Sequence, residues 1–265
     1  MSEIKPPAKT YKSHAKVNIF LKIVGFKNGY HQIVSRFVLV DSLYDVMWFE
    51  QNDGNGFDVV GEFDCPLESN TIYKAYKALT EHVSYQRIEQ FCKTHKVVVY
   101  KNIPAFAGLG GGSSNAAMFL NMINEELNLQ LSLKELIDIG KEVGADVPFF
   151  ITKYKSANVR GFGEIVEEFD EEVPSIETFT PNVKCDTTKI YRMYRKEFSQ
   201  GMSKQLDFAN MLAHMDSKEI LEEFKAEKLN DLFKPALKSE LDLVLAKKDN
   251  WFFSGSGSSF FRIKP

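Results

Sequence analysis

From Lys9 to Val24 apolar and polar positions alternate, with Ala15, Val17, Ile19, Leu21 and Ile23 on one side and Lys16, Asn18, Phe20 and Lys22 on the other. Side chains alternate across a strand, so the pattern predicts a half-buried strand. The run Arg36 to Glu50, rich in Phe, Val, Leu, Tyr and Trp, predicts a second strand or a bent pair. Phe57 to Phe63 continues the sheet after the turn-forming Asn52-Asp53-Gly54-Asn55-Gly56. Asn70 is placed to cap a helix from about Thr71 into the 80s, and Val97 to Tyr100 reads as a strand.

A glycine-rich connection over 103–112 leads into a helix from about Ser113, where Ala116, Ala117, Leu120, Ile123 and Leu127 recur at helical spacing. Ser132-Leu133-Lys134-Glu135 has capping-box spacing for another helix, which Gly144 ends. Short strands are predicted at 149–152, 158–160, 165–169 and 176–180. Helical segments follow around 187–198, 204–213, 217–226 and 235–247, with a last strand at 259–263.

Composition narrows the class. Hydrophobic residues make up 44% and charged residues 26%, which excludes a disordered or fibrous chain. A net charge of −3, with no block of like charge, leaves no basic footprint for nucleic acid. Cys65, Cys92 and Cys185 are odd in number and far apart, against a disulfide framework or zinc site and in keeping with a reducing cytoplasm. The N-terminus carries no apolar stretch of a secretory signal. Asn102 to Asn124 holds no charged residue, but its glycines, serines and asparagines do not suit a bilayer.

The strongest chemical signal is Gly108-Leu109-Gly110-Gly111-Gly112-Ser113-Ser114-Asn115-Ala116-Ala117, between a strand and a helix. Glycines bring backbone N–H groups close to a ligand, and the helix start adds orphan donors and partial positive charge, a combination that holds phosphate. No Lys follows the glycines as a Walker loop requires, and Ser113 stands where the dinucleotide fingerprint needs its last glycine. By residue type alone, Lys16 and Asn18 are solvated strand residues, Asp146 is a turn aspartate, and Tyr30 and His31 are a loop aromatic and a surface histidine.

Pro104 to Ala117 resembles the phosphate-loop motif of the GHMP kinase superfamily. The Gly-Gly-Gly-Ser-Ser-Asn-Ala-Ala ending resembles the branch that phosphorylates 4-diphosphocytidyl-2-C-methyl-D-erythritol in non-mevalonate isoprenoid biosynthesis. Further matches in order are Ala15-Lys16-Val17-Asn18-Ile19-Phe20-Leu21, Gly29-Tyr30-His31, Gly144-Ala145-Asp146-Val147-Pro148 and Ser254-Gly255-Ser256-Gly257-Ser258. The resemblance spans nearly the whole chain. It implies an α+β GHMP kinase fold: a β-rich, ribosomal protein S5 domain 2-like nucleotide-binding half over 1–155 and a smaller α+β substrate-side half over 156–265.

The same resemblance implies site roles. Asp146 is the general base for the acceptor hydroxyl, and Lys16 is the active-site lysine, which beside an Asp holds the carboxylate ionised and stabilises phosphoryl charge. ATP with magnesium is the phosphoryl donor, cradled by Pro104, Ala105, Phe106, Ala107, Gly108, Leu109, Gly110, Gly111, Gly112, Ser113 and Ser114. Asn70 lines the adenine pocket, Lys101 approaches the nucleotide, and Ser114 reaches magnesium, although no full metal-ligand set is legible. Tyr30 and Tyr191 stack on the cytosine ring and His31 bonds its polar edge; Asn18, Thr187, Gly255 and Ser256 also face the small-molecule substrate, and neither nucleic acid nor a membrane is a partner.

Two departures stand out. The family usually has glycine at the position of Phe106 and often proline at that of His14. Phenylalanine takes a left-handed backbone only at a cost, so a different shape is expected at the start of the loop. The chain ends at Pro265, one strand after the Ser254–Ser258 motif, where relatives typically continue for another helix and strand, so an abridged C-terminal half with a sheet edge to be covered is expected. The alternatives are another GHMP small-molecule kinase, of homoserine or mevalonate type, whose substrates have no base to stack, and a non-catalytic nucleotide-binding regulatory module.

Overall fold

The alternating segment forms β1 (Tyr11–Lys27), and an Asn28-Gly29 turn leads directly into β2 (Tyr30–Gln51), to which β1 pairs. Asn28 at φ 52° and Gly29 at φ 85° supply the two positive φ values that a tight hairpin turn of the right twist requires. The computed structural model describes residues 6–54, 56–82, 85–200 and 202–265. Instead of a half-buried strand, β1 is buried on both faces: Lys16, Asn18 and Lys22 are as inaccessible as their apolar neighbours. The second predicted strand is a single 22-residue β2, not a bent pair.

The chain divides into two compact units that interleave along the sequence. One takes the described residues up to His14, Leu43–Ile103 and Gly111–Lys153; the other takes Ala15–Ser42, Pro104–Gly110 and Tyr154–Pro265. A single cut near 155 does not describe them, because β1 and β2 each run from one unit into the other.

In the first unit the end of β2 pairs antiparallel with β4 (His95–Tyr100), from Val46↔Tyr100 to Gln51↔His95, and β4 pairs parallel with the short β3 (Val59–Val60). Its helices are α1 (Thr71–His82), α2 (Tyr85–Thr94), α3 (Gly111–Glu126), α4 (Leu133–Val143) and α5 (Val147–Thr152). A 3₁₀ turn, Leu67–Ser69, precedes α1. Helix α3 packs against α1, α4 and α5, through a face of Ala116, Ala117, Phe119, Leu120 and Ile123 that is almost fully buried. The predicted capping box of α4 forms at Ser132 and Glu135.

Two local readings are corrected here. Residues 149–152, predicted as a strand, lie in α5, because Pro148 in the first turn presets a helical φ and four apolar residues are too few for periodicity to discriminate. Helix α2 was not predicted at all: its polar exterior buries few side chains, chiefly Ile88 and Cys92.

In the second unit the start of β2 pairs antiparallel with β5 (Ser156–Gly161), from Ile33↔Gly161 to Val38↔Ser156, and β5 with β6 (Ile165–Glu168). A second sheet has the order β7 (Ile176–Phe179), β9 (Phe260–Ile263), β8 (Phe252–Phe253), antiparallel throughout. The last strand is therefore central, flanked by β7 and β8, and these two short strands form the edges of the sheet among the described residues. The helices are α6 (Thr187–Glu197), α7 (Leu206–His214), α8 (Ser217–Glu223), α9 (Ala226–Leu229), α10 (Phe233–Ser239) and α11 (Leu241–Ala246), with a 3₁₀ turn at Met202–Gln205. Leu21, Ile23, Ile190, Tyr194, Phe233, Phe253 and Phe260 share one core.

Candidate active site

The glycine loop is held by its carbonyls. Phe106 O accepts from Cys185 N–H (3.2 Å), Ala107 O from Ser259 N–H (3.0 Å) and Leu109 O from Lys16 N–H (2.9 Å). Between them, Gly108 O accepts from the Ser254 hydroxyl (3.0 Å) and the Lys16 ammonium (3.3 Å). In a planar trans peptide the N–H points opposite to the carbonyl, so fixing these carbonyls turns the N–H groups of Ala107, Gly108, Leu109 and Gly110 the other way, as a row of donors. Phe106 does adopt the left-handed region, at φ 54°, followed by Gly108 and Gly110 at φ 72°, so the loop departs from the expected altered shape. The tie from Cys185 to its carbonyl holds Phe106 there, with its ring exposed and the Lys184 ammonium over it at 5.7 Å.

Helix α3 opens on Gly111, Gly112 and Ser113, whose backbone stays accessible. The first N–H groups of a helix have no acceptor within it and carry partial positive charge. No acidic residue occupies that first turn, where a carboxylate would compete with a phosphate. Donors of this kind suit phosphate groups.

Lys16 and Asn18 point the same way from β1, as their spacing predicts, but into the protein: they are 3% and 1% exposed. Lys16 Nζ donates to Asn18 Oδ1 (2.7 Å) and lies 4.5 Å above the Phe37 ring. Asn18 Nδ2 donates in turn to Ser35 Oγ (3.0 Å), and Ser35 Oγ to Phe20 O. The ammonium is therefore aimed at the loop carbonyl of Gly108 by a chain of neutral acceptors.

The Ser254–Ser258 motif lies against the same loop. A Cβ on Gly255, whose φ of 56° favours glycine, would stand in tight contact 3.1 Å from Gly108 O and 3.3 Å from Asn18 Oδ1. Thr187 Oγ1 and Ser256 Oγ share a hydrogen bond of 2.7 Å, joining the start of α6 to this turn. Asn230, which the sequence did not single out, is 2% exposed and donates through Nδ2 to both Phe253 O (2.8 Å) and Gly255 O (2.9 Å).

In the first unit, Asn70 is buried and its Oδ1 accepts from Ile72 N–H (2.9 Å), so its carbonyl end caps α1 as predicted. Thr71 Oγ1 donates to Gly112 O (2.6 Å), linking α1 to the loop's last turn. Lys101 does not extend freely from β4: its ammonium pairs with Asp45 and donates to Asn115 Oδ1 (2.8 Å). Ser114 is buried, and its Oγ accepts from Ser13 (2.7 Å). Asp146 stands at the N-cap position of α5 without capping it, partly accessible, at φ −83° and ψ −11°. Among the described residues no group of His, Cys, Asp and Glu could alone hold a metal ion. A single carboxylate with phosphate oxygens remains an ordinary donor set for magnesium.

His31 and Tyr191 come together, whereas Tyr30, the preceding residue of the same strand, packs on Phe162 instead. Tyr30, first in β2, is 67% exposed and its ring lies 5.6 Å from that of Phe162. His31 lies 5.0 Å from Tyr191 at an interplanar angle of 32°, with Phe26 and Tyr194 meeting it edge-on. Its Nε2 is buried and has no hydrogen-bond partner among the described residues. Burial, with the nearby Arg195 charge, lowers its pKa, so the ring is neutral at pH 7. Neutral imidazole carries one donor and one acceptor nitrogen, suited to a base edge.

A family profile described as GHMP kinases N terminal domain matches residues 70–154. A 4-diphosphocytidyl-2-C-methyl-D-erythritol kinase of Sulfurimonas denitrificans is 50% identical over 261 residues, 97% of each chain. One of Sulfurovum sp. is 48% identical, covering 95% of this chain and 98% of its own. The crystal structure of a 4-(cytidine 5'-diphospho)-2C-methyl-D-erythritol kinase superposes with a TM-score of 0.69 at 25% identity, covering 96% of this chain and 90% of that one. Among the described residues no helix is long and apolar enough to cross a membrane. The chain belongs to the GHMP kinases, within the family of 4-diphosphocytidyl-2-C-methyl-D-erythritol kinases.

Proposed function

We propose that this chain transfers the terminal phosphoryl group of ATP to the 2-hydroxyl of 4-diphosphocytidyl-2-C-methyl-D-erythritol. The observation that carries the choice of acceptor is the aromatic cluster of Phe26, Tyr191 and Tyr194 around the neutral imidazole of His31, whose buried Nε2 has no partner among the described residues, with the exposed Tyr30 next to it in sequence. A flat base between aromatic faces gains roughly 1–3 kcal/mol from stacking. An unpartnered buried nitrogen adds the polar contact that a homoserine or mevalonate acceptor has no base to meet. Thr187, Gly255 and Ser256 extend this surface beside Asn18.

Phosphoryl transfer asks chiefly for positioning and charge stabilisation. The donor row of Ala107–Gly110 and the start of α3 hold the phosphates, with Asn70 toward the adenine. Lys16 supplies positive charge at the phosphoryl oxygens, and Asp146 accepts the proton of the attacking hydroxyl. Magnesium, when bound, would neutralise charge on the phosphate oxygens, held by those oxygens, a carboxylate and water. The free Cys65, Cys92 and Cys185 suit a reducing cytoplasm.

The test is release of ADP from ATP and magnesium with 4-diphosphocytidyl-2-C-methyl-D-erythritol, homoserine or mevalonate as acceptor. Turnover with the cytidyl acceptor alone is expected. Turnover with either of the others alone would discard the cytidine clamp, and silence with all three would discard the kinase.

A further inference from the structure

Asp45 is fully buried in β2 and takes hydrogen bonds from both ends of the glycine loop. Its Oδ1 accepts from the N–H groups of Asn102 (2.7 Å) and Ile103 (2.8 Å), the two residues before Pro104. Oδ2 accepts from Asn115 Nδ2 (2.9 Å), in α3 just after the loop, and pairs with the Lys101 ammonium. Lys101 donates onward to Asn115 Oδ1 (2.8 Å), and Asn115 Nδ2 also donates to Ser13 Oγ (2.9 Å), whose hydroxyl reaches Ser114 Oγ (2.7 Å). Burying a carboxylate is costly unless it is paired and fully hydrogen-bonded, and here every lone pair is directed at a donor.

We propose that Asp45 is the positioning residue of the phosphate loop, a single carboxylate that ties both stems together. Lys101 is its counter-charge, 3.6 Å from where a Cβ on Gly111 would stand, and acts on the nucleotide through Asp45 and Asn115. The loop starts on Oδ1 and ends on Oδ2, so the spacing of its stems is that of one rigid group. Phosphate donors placed about 1 Å off can cost roughly a hundredfold in rate. This inference rests on the proposed function only in taking the loop as the nucleotide site.

Asp45→Asn keeps the shape and leaves Oδ1 to accept from Asn102 and Ile103, but it turns an NH₂ toward the donors of Lys101 and Asn115. ADP affinity, read by calorimetry, is expected to fall about tenfold or more, with KM for ATP rising in parallel and KM for the cytidyl acceptor within about twofold. Adding Asn115→Asp exchanges carboxylate and amide, restores complementary partners, and is expected to recover most of the ADP affinity. If Asp45→Asn does not fold, Asn115→Ala frees only the α3 side and is expected to weaken ADP by about threefold or more. A variant with lowered Tm but wild-type ADP affinity, equal weakening of both substrates, or no rescue by the exchange would overturn the proposal. A wild-type enzyme that binds ADP yet phosphorylates no cytidyl acceptor removes the proposed function and leaves this inference standing; one that binds no ADP removes both.

Discussion

A Cβ added to Gly108 would lie 2.2 Å from the carbonyl oxygen of Ser254. Loop and C-terminal turn are thus in backbone-to-backbone contact, 146 residues apart, with the Ser254 hydroxyl closing the join on Gly108 O. Gly108→Ala meets both this clash and a φ of 72°. It is expected to cost about 2–4 kcal/mol of stability and to weaken ATP binding, checked by urea denaturation and ADP titration. Unchanged values for both would show that the turn yields freely.

Phe106 pays for its left-handed backbone, so Phe106→Gly is expected to be neutral or to stabilise by up to about 1 kcal/mol. Phe106→Val, β-branched at the same φ, should destabilise by about 1–2 kcal/mol. Thermal unfolding of the pair tests this; the reverse order would mean that the ring contributes more than the strain removes.

Asp146 makes no side-chain capping bond to α5, and Asp146→Asn keeps the size and shape of the side chain while removing its charge. Turnover is expected to drop about 10²–10⁴-fold with substrate affinities near wild type, as for loss of a general base. Steady-state kinetics beside a circular dichroism melt separate this from misfolding, and near-normal turnover would remove Asp146 from the chemistry.

His31 titrates below its ordinary value near 6.5 because burial disfavours its charged form. Between the lowered folded value and the unfolded one, the unfolded chain binds more protons, so stability falls as pH drops below about 6.5. The difference in stability between wild type and His31→Gln should shrink across that range as the pH falls. Equilibrium unfolding at pH 7.5, 6.5 and 5.5 reads it, and a difference independent of pH would place the titration elsewhere.

Asn230→Ala leaves Phe253 O and Gly255 O without their buried donor and Leu232 N–H without its acceptor. A loss of about 2–4 kcal/mol is expected, at 1–3 kcal/mol for each buried group left unsatisfied and partial relaxation. Activity at a temperature well below the melt should also fall, because the Ser254–Gly257 turn loses its tether.

Local signals carried much of the fold. The glycine run, the Ser132 capping box, Asn70 before α1 and the helical spacing after Ser113 each depend on residues a few positions apart, and each appears where the sequence put it. The Asn28-Gly29 pair is also legible as a hairpin turn. Two chemical signals went unused: an aspartate, Asp45, inside an apolar strand run, and Asn115 within the recognised motif.

By itself the sequence determined the kinase family, the glycine-rich loop and most elements, since motif and period are properties of adjacent residues. Only the tertiary structure decided that the polar face of β1 is interior, that Lys101 turns to Asp45, and that Asn230 holds the Ser254–Gly257 turn. Those facts join positions dozens to more than a hundred apart. A local pattern records which side of its own element a residue takes; which buried donor meets which distant acceptor is settled only when the packed chain leaves each polar group a single partner within reach.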